Sequence, residues 1–192
     1  MLKYFVSRFW FLLIVISCSW FFLAHTELMS WNKQLISQGE YWRIVSGNLS
    51  HNNLIHWLMN VATLVLVYFV FDDRLSNQHF MLISISLCLL GGGLLWFAKY
   101  DEYVGLSGLI HGLIAYAAMA DLFTDKKRVG AIILTGLSAK LLMEQLYGGD
   151  PWVTDLIGID VAIDAHLLFA VLGISFALLL WWPLWRSYKL ST

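Results

Sequence analysis

Gly105-Leu106-Ser107-Gly108-Leu109-Ile110-His111-Gly112 opens an apolar run that continues to Leu122. Glycines on both sides of a serine let another backbone approach the hydroxyl closely, and they permit a sharp entry into a helix. The free N–H groups and positive dipole end of such a helix stabilise a developing negative charge. A serine at a helix start is also an ordinary cap. The motif therefore needs a partner, and His166 is the candidate. It lies inside the last apolar run, in Asp164-Ala165-His166-Leu167.

Composition sets the environment. The 192 residues are 59% hydrophobic and 13% charged, with a mean hydropathy of +0.70. A soluble domain of this size cannot hide that much apolar surface, so the chain belongs to the membrane class. A net charge of −1 suggests no nucleic acid. Cys18 and Cys88 fall inside apolar runs and read as small buried hydrophobes. No Cys/His set has zinc spacing and no His-Glu-x-x-His occurs, so neither a metal nor a cofactor is expected.

Six apolar segments follow one another at about 9–24, 54–71, 80–98, 106–122, 129–147 and 161–182. They predict one all-α transmembrane domain over 1–192, with a long polar loop between the first two spans. The run from Phe9 to Ala24 follows Lys3 and Arg8 without an obvious small-x-small cleavage site, so it is expected to stay as a span. Lys3, Arg8, Arg74, Lys126, Lys127, Arg128, Arg186 and Lys189 all fall on one side, and the positive-inside rule makes that side cytoplasmic. Lys33, Arg43 and Lys99 fall outside, and Lys140 lies within a span. Both long loops then face outward.

Orientation allows a depth comparison. At about 1.5 Å per residue, Ser107 lies about 22 Å above Leu122, His166 about 24 Å above Trp182, and His56 about 22 Å above Phe71. All three sit at one level, roughly 6–8 Å below the outer boundary of a core about 30 Å thick. Asn60 is one turn deeper on the face of His56. The chain before Ser107 must dip into the membrane as irregular backbone, which is tolerated only inside protein or along a wet cavity. Polar residues in a bilayer are costly and tend to be functional. One such histidine is easily a packing residue; four polar groups close in depth on three helices are harder to dismiss.

The chemistry these types support is acyl transfer. Ser107 is the candidate nucleophile, and His166 the general base that later protonates the leaving amine. Asp164, two residues away on a helix, points elsewhere, and no acid is placed to orient His166, so a Ser–His dyad is the economical reading. His56 and Asn60 are candidate oxyanion donors; their bland role is interhelical glue.

At this point the chain resembles the rhomboid family of intramembrane serine proteases, from Glu40 onward. Trp42-Arg43 is similar to the family's Trp-Arg motif. His51, His56 and Asn60 fall where rhomboids carry a loop histidine and the oxyanion His and Asn. Gly105-Leu106-Ser107-Gly108 matches the nucleophile motif, Ala165-His166 the catalytic histidine, and Gly173 a packing glycine. The resemblance implies a rhomboid-like bundle of six helices. It implies a substrate-binding surface formed by His56, Asn60, Gly105, Leu106 and His111. Two departures stand out. His111 replaces a frequent tyrosine, and Phe169 replaces a usual glycine, which puts close packing against the serine helix in question.

The compact chain, the string quoted above and the pair Lys140 and Glu144 are similar to the rhombosortase branch. That resemblance implies a bacterial inner-membrane enzyme with cytoplasmic termini and a site opening to the periplasm. Its substrates would be exported proteins with Gly-Gly C-terminal transmembrane anchors, released to water or to an amine acceptor such as a lipid amine. Lys140 and Glu144, spaced i, i+4, read as a neutralising pair or as a border of the site, with His51 as a further outer group. His111 reads as packing beside His166 or as a second proton-handling group. Two other classes compete: a non-catalytic rhomboid-like binder of membrane clients, which would usually lack the serine or histidine, and a small transporter, which would show inverted repeats.

Overall fold

The computed structural model describes residues 2–181. Helix α1 (Leu2–Leu23) leads into a segment holding α2 (Thr26–Met29), β1 (Trp31–Asn32), α3 (Lys33–Ser37) and α4 (Arg43–Ser46). Two long helices follow, α5 (Leu54–Phe71) and α6 (Asn77–Leu94), the second closed by a 3-10 turn at Leu95–Phe97. Then come β2 (Glu102–Tyr103), α7 (Ser107–Asp121), α8 (Lys127–Tyr147), α9 (Pro151–Ile157) and α10 (Ile163–Phe176). A π-type turn at Ala177–Trp181 extends α10. Trp182, Arg186 and Lys189, used above to place the last span and its flank, lie outside the described residues, as does the Lys3 side chain.

Local chemistry accounts for several helix starts. Asn53 accepts from the His56 N–H at 2.8 Å and caps α5. Ser76 does the same for α6 from His79 N at 3.2 Å. Asp150 caps α9, with Pro151 in the first turn, and Gly158 (φ 74) ends that helix in the left-handed region. By contrast α7 and α10 start at Leu106 and Ala162 without a side-chain cap, which leaves first-turn N–H groups for other partners.

Among the described residues five helices are long and apolar enough to cross a membrane: Val6–Leu23, Leu54–Phe71, Asn77–Phe97, Lys127–Tyr147 and Ile163–Leu180. The expected fourth segment behaves differently. Helix α7 has 15 residues, so it spans only about 22 Å of a core about 30 Å thick. Twelve of those residues are buried, because the helix is apolar on every face and is surrounded by its neighbours.

Small residues bring those neighbours close. A Cβ on Gly173 would lie 2.1 Å from the Gly112 carbonyl oxygen, so α10 meets α7 backbone to backbone. Gly130 approaches the Ala118 carbonyl oxygen in the same way, seating α8. Phe169 does not hold α10 away. Its ring is fully buried and occupies the space beside Gly91, where a Cβ would lie 2.4 Å from Phe169 Cζ, and beside Gly108. The bulk missing on α6 and α7 is supplied from α10, so the packing that this departure put in question is close.

The segment between α1 and α5, expected as a polar loop, is folded. Strand β1 pairs antiparallel with β2, Trp31 opposite Tyr103 and Asn32 opposite Glu102. Trp31 is fully buried and its indole N–H donates to the Gly92 carbonyl at 2.8 Å. Arg43 is buried, with Nε on Glu40 at 2.6 Å and Nη1 on the carbonyls of Glu27 and Ser30 at 3.0 and 2.8 Å. One guanidinium thus ties three turns of chain.

Candidate active site

The turn before α7 is held from several directions. Gly105 has φ 132, a conformation that other residues avoid, and a Cβ there would lie 3.0 Å from His56 Nε2. Its N–H donates to the Gly47 carbonyl at 3.1 Å and its carbonyl accepts from the Tyr103 hydroxyl at 2.8 Å. Burial raises the Tyr103 pKa well above the ordinary phenol value, so the hydroxyl stays a neutral donor. Leu106, fully buried, donates its N–H to His51 Nε2 at 3.4 Å. His51 is itself fully buried and edge-on to His56 at 4.9 Å. Burial above all, then His56, push its pKa from 6.5 down to about 3, so it remains neutral. The result is a rigid backbone bend that delivers Ser107 to the first turn of α7.

His166 comes from the first turn of α10. Its Nε2 is 2.9 Å from Ser107 Oγ. The other ring nitrogen, Nδ1, lies 3.0 Å from Glu144 Oε2 and 3.1 Å from Oε1. Glu144 in turn accepts from Lys140 Nζ at 2.5 Å. An ionised carboxylate only accepts, so the proton sits on Nδ1 and the Nε2 lone pair faces the serine. The expectation that no acid orients His166 is therefore corrected. The acid comes not from α10 but from α8, the neighbouring helix. His111 stacks flat on His166, with ring centroids 4.1 Å apart and 12° between planes. Its Nδ1 donates to the Ser107 carbonyl at 2.6 Å.

His56 and Asn60 stand on the facing side, on α5. His56 Nδ1 lies 2.7 Å from Asn52 Oδ1, while the Asn52 amide nitrogen donates to the Ile157 carbonyl. That amide orientation puts the proton on Nδ1 and turns the Nε2 lone pair toward Gly105. To donate toward an oxyanion from Nε2, His56 must carry both protons. Asn60 Nδ2 gives one hydrogen to the His56 carbonyl at 3.1 Å and keeps a second.

A cavity of about 800 Å³ opens over these groups. Ser107, His166, His56 and Asn60 all line it, with Tyr100, Tyr103 and Asn52. Val153 and Ile157 of α9 and Ile159 just beyond it form another part of the wall. Gly105, Leu106, His51, His111, Lys140 and Glu144 are not among the described lining residues; they stand behind those that are. Asn52 and Tyr103 were missed in the sequence. Asn52 lies one helical turn before His56 and Tyr103 two residues before Gly105, and such proximity is the only signal either carries.

His111, Glu144 and His166 also offer ligand atoms within 4.8 Å of one another. A shared ion would sit in the plane of both imidazoles about 2.0–2.1 Å from each nitrogen. Parallel stacked rings do not permit that, and Lys140 already occupies Glu144. The cluster as arranged is a stacked pair of imidazoles, one of them hydrogen-bonded to Glu144.

Comparison with known proteins agrees with this geometry. The Rhomboid domain family model matches residues 38–183. The chain is 25% identical over 149 residues to a protein named Rhomboid protease GlpG from Enterobacter sp. (strain 638). That match covers 78% of this chain and 52% of the relative, so the chain spans about half the length of the curated relative it matches. The chain belongs to the rhomboid family.

Proposed function

We propose that this rhomboid-family chain is an intramembrane serine endopeptidase. One observation carries the reading: Ser107 Oγ and His166 Nε2 are 2.9 Å apart at the wall of a cavity inside an apolar helical bundle. Ser107 attacks the scissile carbonyl carbon while its proton passes to His166 Nε2. The oxyanion is held by the uncapped N–H groups of α7 and by Asn60 Nδ2, and by His56 when it is doubly protonated. The carbon–nitrogen bond then breaks and His166 returns the proton to the departing nitrogen. Water releases the acyl-enzyme, or an amine acceptor such as a lipid amine takes the acyl group by transfer.

In this reading α7 is a sixth, short crossing element packed among α5, α6, α8 and α10. The termini are cytoplasmic, the folded segment between α1 and α5 faces outward, and the cavity opens to the periplasmic side of a bacterial inner membrane. Substrates are exported proteins held by C-terminal transmembrane segments, of the Gly-Gly type by resemblance to rhombosortases. Small residues at the cleavage site are expected by the same resemblance.

The test is reconstitution with a substrate bearing a Gly-Gly C-terminal anchor, comparing wild type with Ser107→Ala and His166→Ala. Cleavage by wild type alone is expected, and the mass of the new C-terminus separates hydrolysis from transfer. Cleavage by Ser107→Ala would overturn the assignment of the nucleophile.

A further inference from the structure

We propose that Glu144 is a positioning residue for His166, completing a Ser107–His166–Glu144 triad in which the acid is supplied by α8 and kept ionised by Lys140. The inference rests on the protease reading above and deepens it. Both Glu144 oxygens lie within 3.1 Å of His166 Nδ1, and the Glu144 side chain is only 13% exposed. A carboxylate so placed fixes one tautomer and aims Nε2 at Ser107. As the serine proton arrives at Nε2 the ring becomes a cation with N–H groups at both nitrogens, and Glu144 stabilises that cation through Nδ1–H. The proton then leaves from Nε2 to the departing nitrogen; Glu144 neither gains nor loses one.

A lone carboxylate within a membrane span would be costly and would tend to take up a proton. Lys140, one turn away at 2.5 Å, supplies the opposing charge. It does so from outside the cavity lining. His111 completes the setting, covering one face of the His166 ring and leaving its edge nitrogens free for Glu144 and Ser107. The pair is therefore more than mutual neutralisation within one helix: its carboxylate is shared with the catalytic imidazole.

The experiment uses the full chain in liposomes, with kcat and KM for an anchored substrate, the rate of Ser107 labelling by a phosphonate probe, and thermal unfolding. Glu144→Gln is expected to lower kcat and the labelling rate by about 10²–10⁴-fold while KM stays within about threefold and Tm barely moves. Glu144→Asp, which keeps the charge, is expected to recover at least about tenfold of that loss. Lys140→Met with Glu144→Gln leaves no unpaired cation in the span. It carries the same test if the single variant folds poorly, and it should be as slow as Glu144→Gln. A Glu144→Gln or double variant with kcat within about twofold of wild type would overturn the triad. Equal losses in Gln and Asp that track lost Tm would overturn it as well, marking a structural role. A wild type that neither labels nor cleaves in a Ser107-dependent way takes down the protease reading, and the triad with it.

Discussion

The two ends of α7 carry two polar clusters built on opposite plans. At the Asp121 end, charges close on one another. Arg74 Nε is 3.2 Å from Asp121 and Arg74 Nη1 is 3.5 Å from Asp73; Lys126 bonds Asp73, and Arg8 bonds Asp72 at 2.9 Å. These contacts tie the turn after α5 to the turn after α7. At the Ser107 end, four histidines and Asn60 are buried, each steadied by a neighbour while its working atom is turned to Ser107 or the cavity or held behind them. The lesson is one of placement. Opposite charges set against each other tie turns of the fold together even where Arg74 Nε and Asp121 Oδ2 make no hydrogen bond, whereas a donor or lone pair that faces a cavity is available for chemistry.

That contrast can be broken most directly at Ser107 and His166. Replacing either with Ala should abolish cleavage, by about 10⁴-fold or more, and the double variant should be nearly as slow as either single one. Additive losses in a kinetic cycle would mean the two do not act as a unit. The next largest effect should be on stability. Phe169→Ala empties the space between Gly91 and Gly108 and should cost about 3–5 kcal/mol in unfolding measurements. Asp121→Asn should cost less, about 1–3 kcal/mol, and leave kcat per folded molecule unchanged. Lost kcat without lost stability would erase the distinction between the two ends.

Two pH effects are smaller. Folded His51 sits near 3 against an ordinary 6.5, so the unfolded chain binds the extra proton. Stability from this site is complete above about pH 6.5 and falls as pH drops toward 3, by at most about 1.4 kcal/mol per pH unit. His51→Gln should flatten that slope in an unfolding series. The weakest effect is at Asp73, whose carboxyl is held below its ordinary range first by the Lys126 hydrogen bond. Its contribution is present above about pH 4 and is lost as pH falls through the lower folded value. In this exposed pair Asp73→Asn should move Tm by no more than about 1–2 °C at neutral pH.

Legibility differed by residue. The membrane class and family followed from composition and from the ordered motifs, because apolar length and fixed spacing are properties of the chain itself. Depth counting from the cytoplasmic flanks placed Ser107, His166 and His56 at one level, and helical rise makes such counting transferable. Depth says nothing of azimuth. Glu144 lies at the same level as Ser107 by that count, yet whether it faces Lys140 alone or also His166 depends on how α8 is rotated against α10. The backbone contact of Gly130 with Ala118 helps set that rotation. Phe169 was opaque for a similar reason: its acceptability depends on Gly91, on another helix. His56 was legible as a polar group at the site, but its tautomer was not, since Asn52 and the Ile157 carbonyl choose it.

By itself, then, the sequence determined a helical membrane chain of rhomboid type, and it named the serine, the histidines and the asparagine that could meet at one depth. Tertiary structure alone decided that α7 is an axle buried among its neighbours and that the polar segment before α5 folds around Arg43 and Trp31. It also decided that His166 is flanked by a carboxylate. Hydrophobic length and motif order are local and survive in one dimension; which face of a helix meets its neighbour is settled only when small and large residues from several helices pack together.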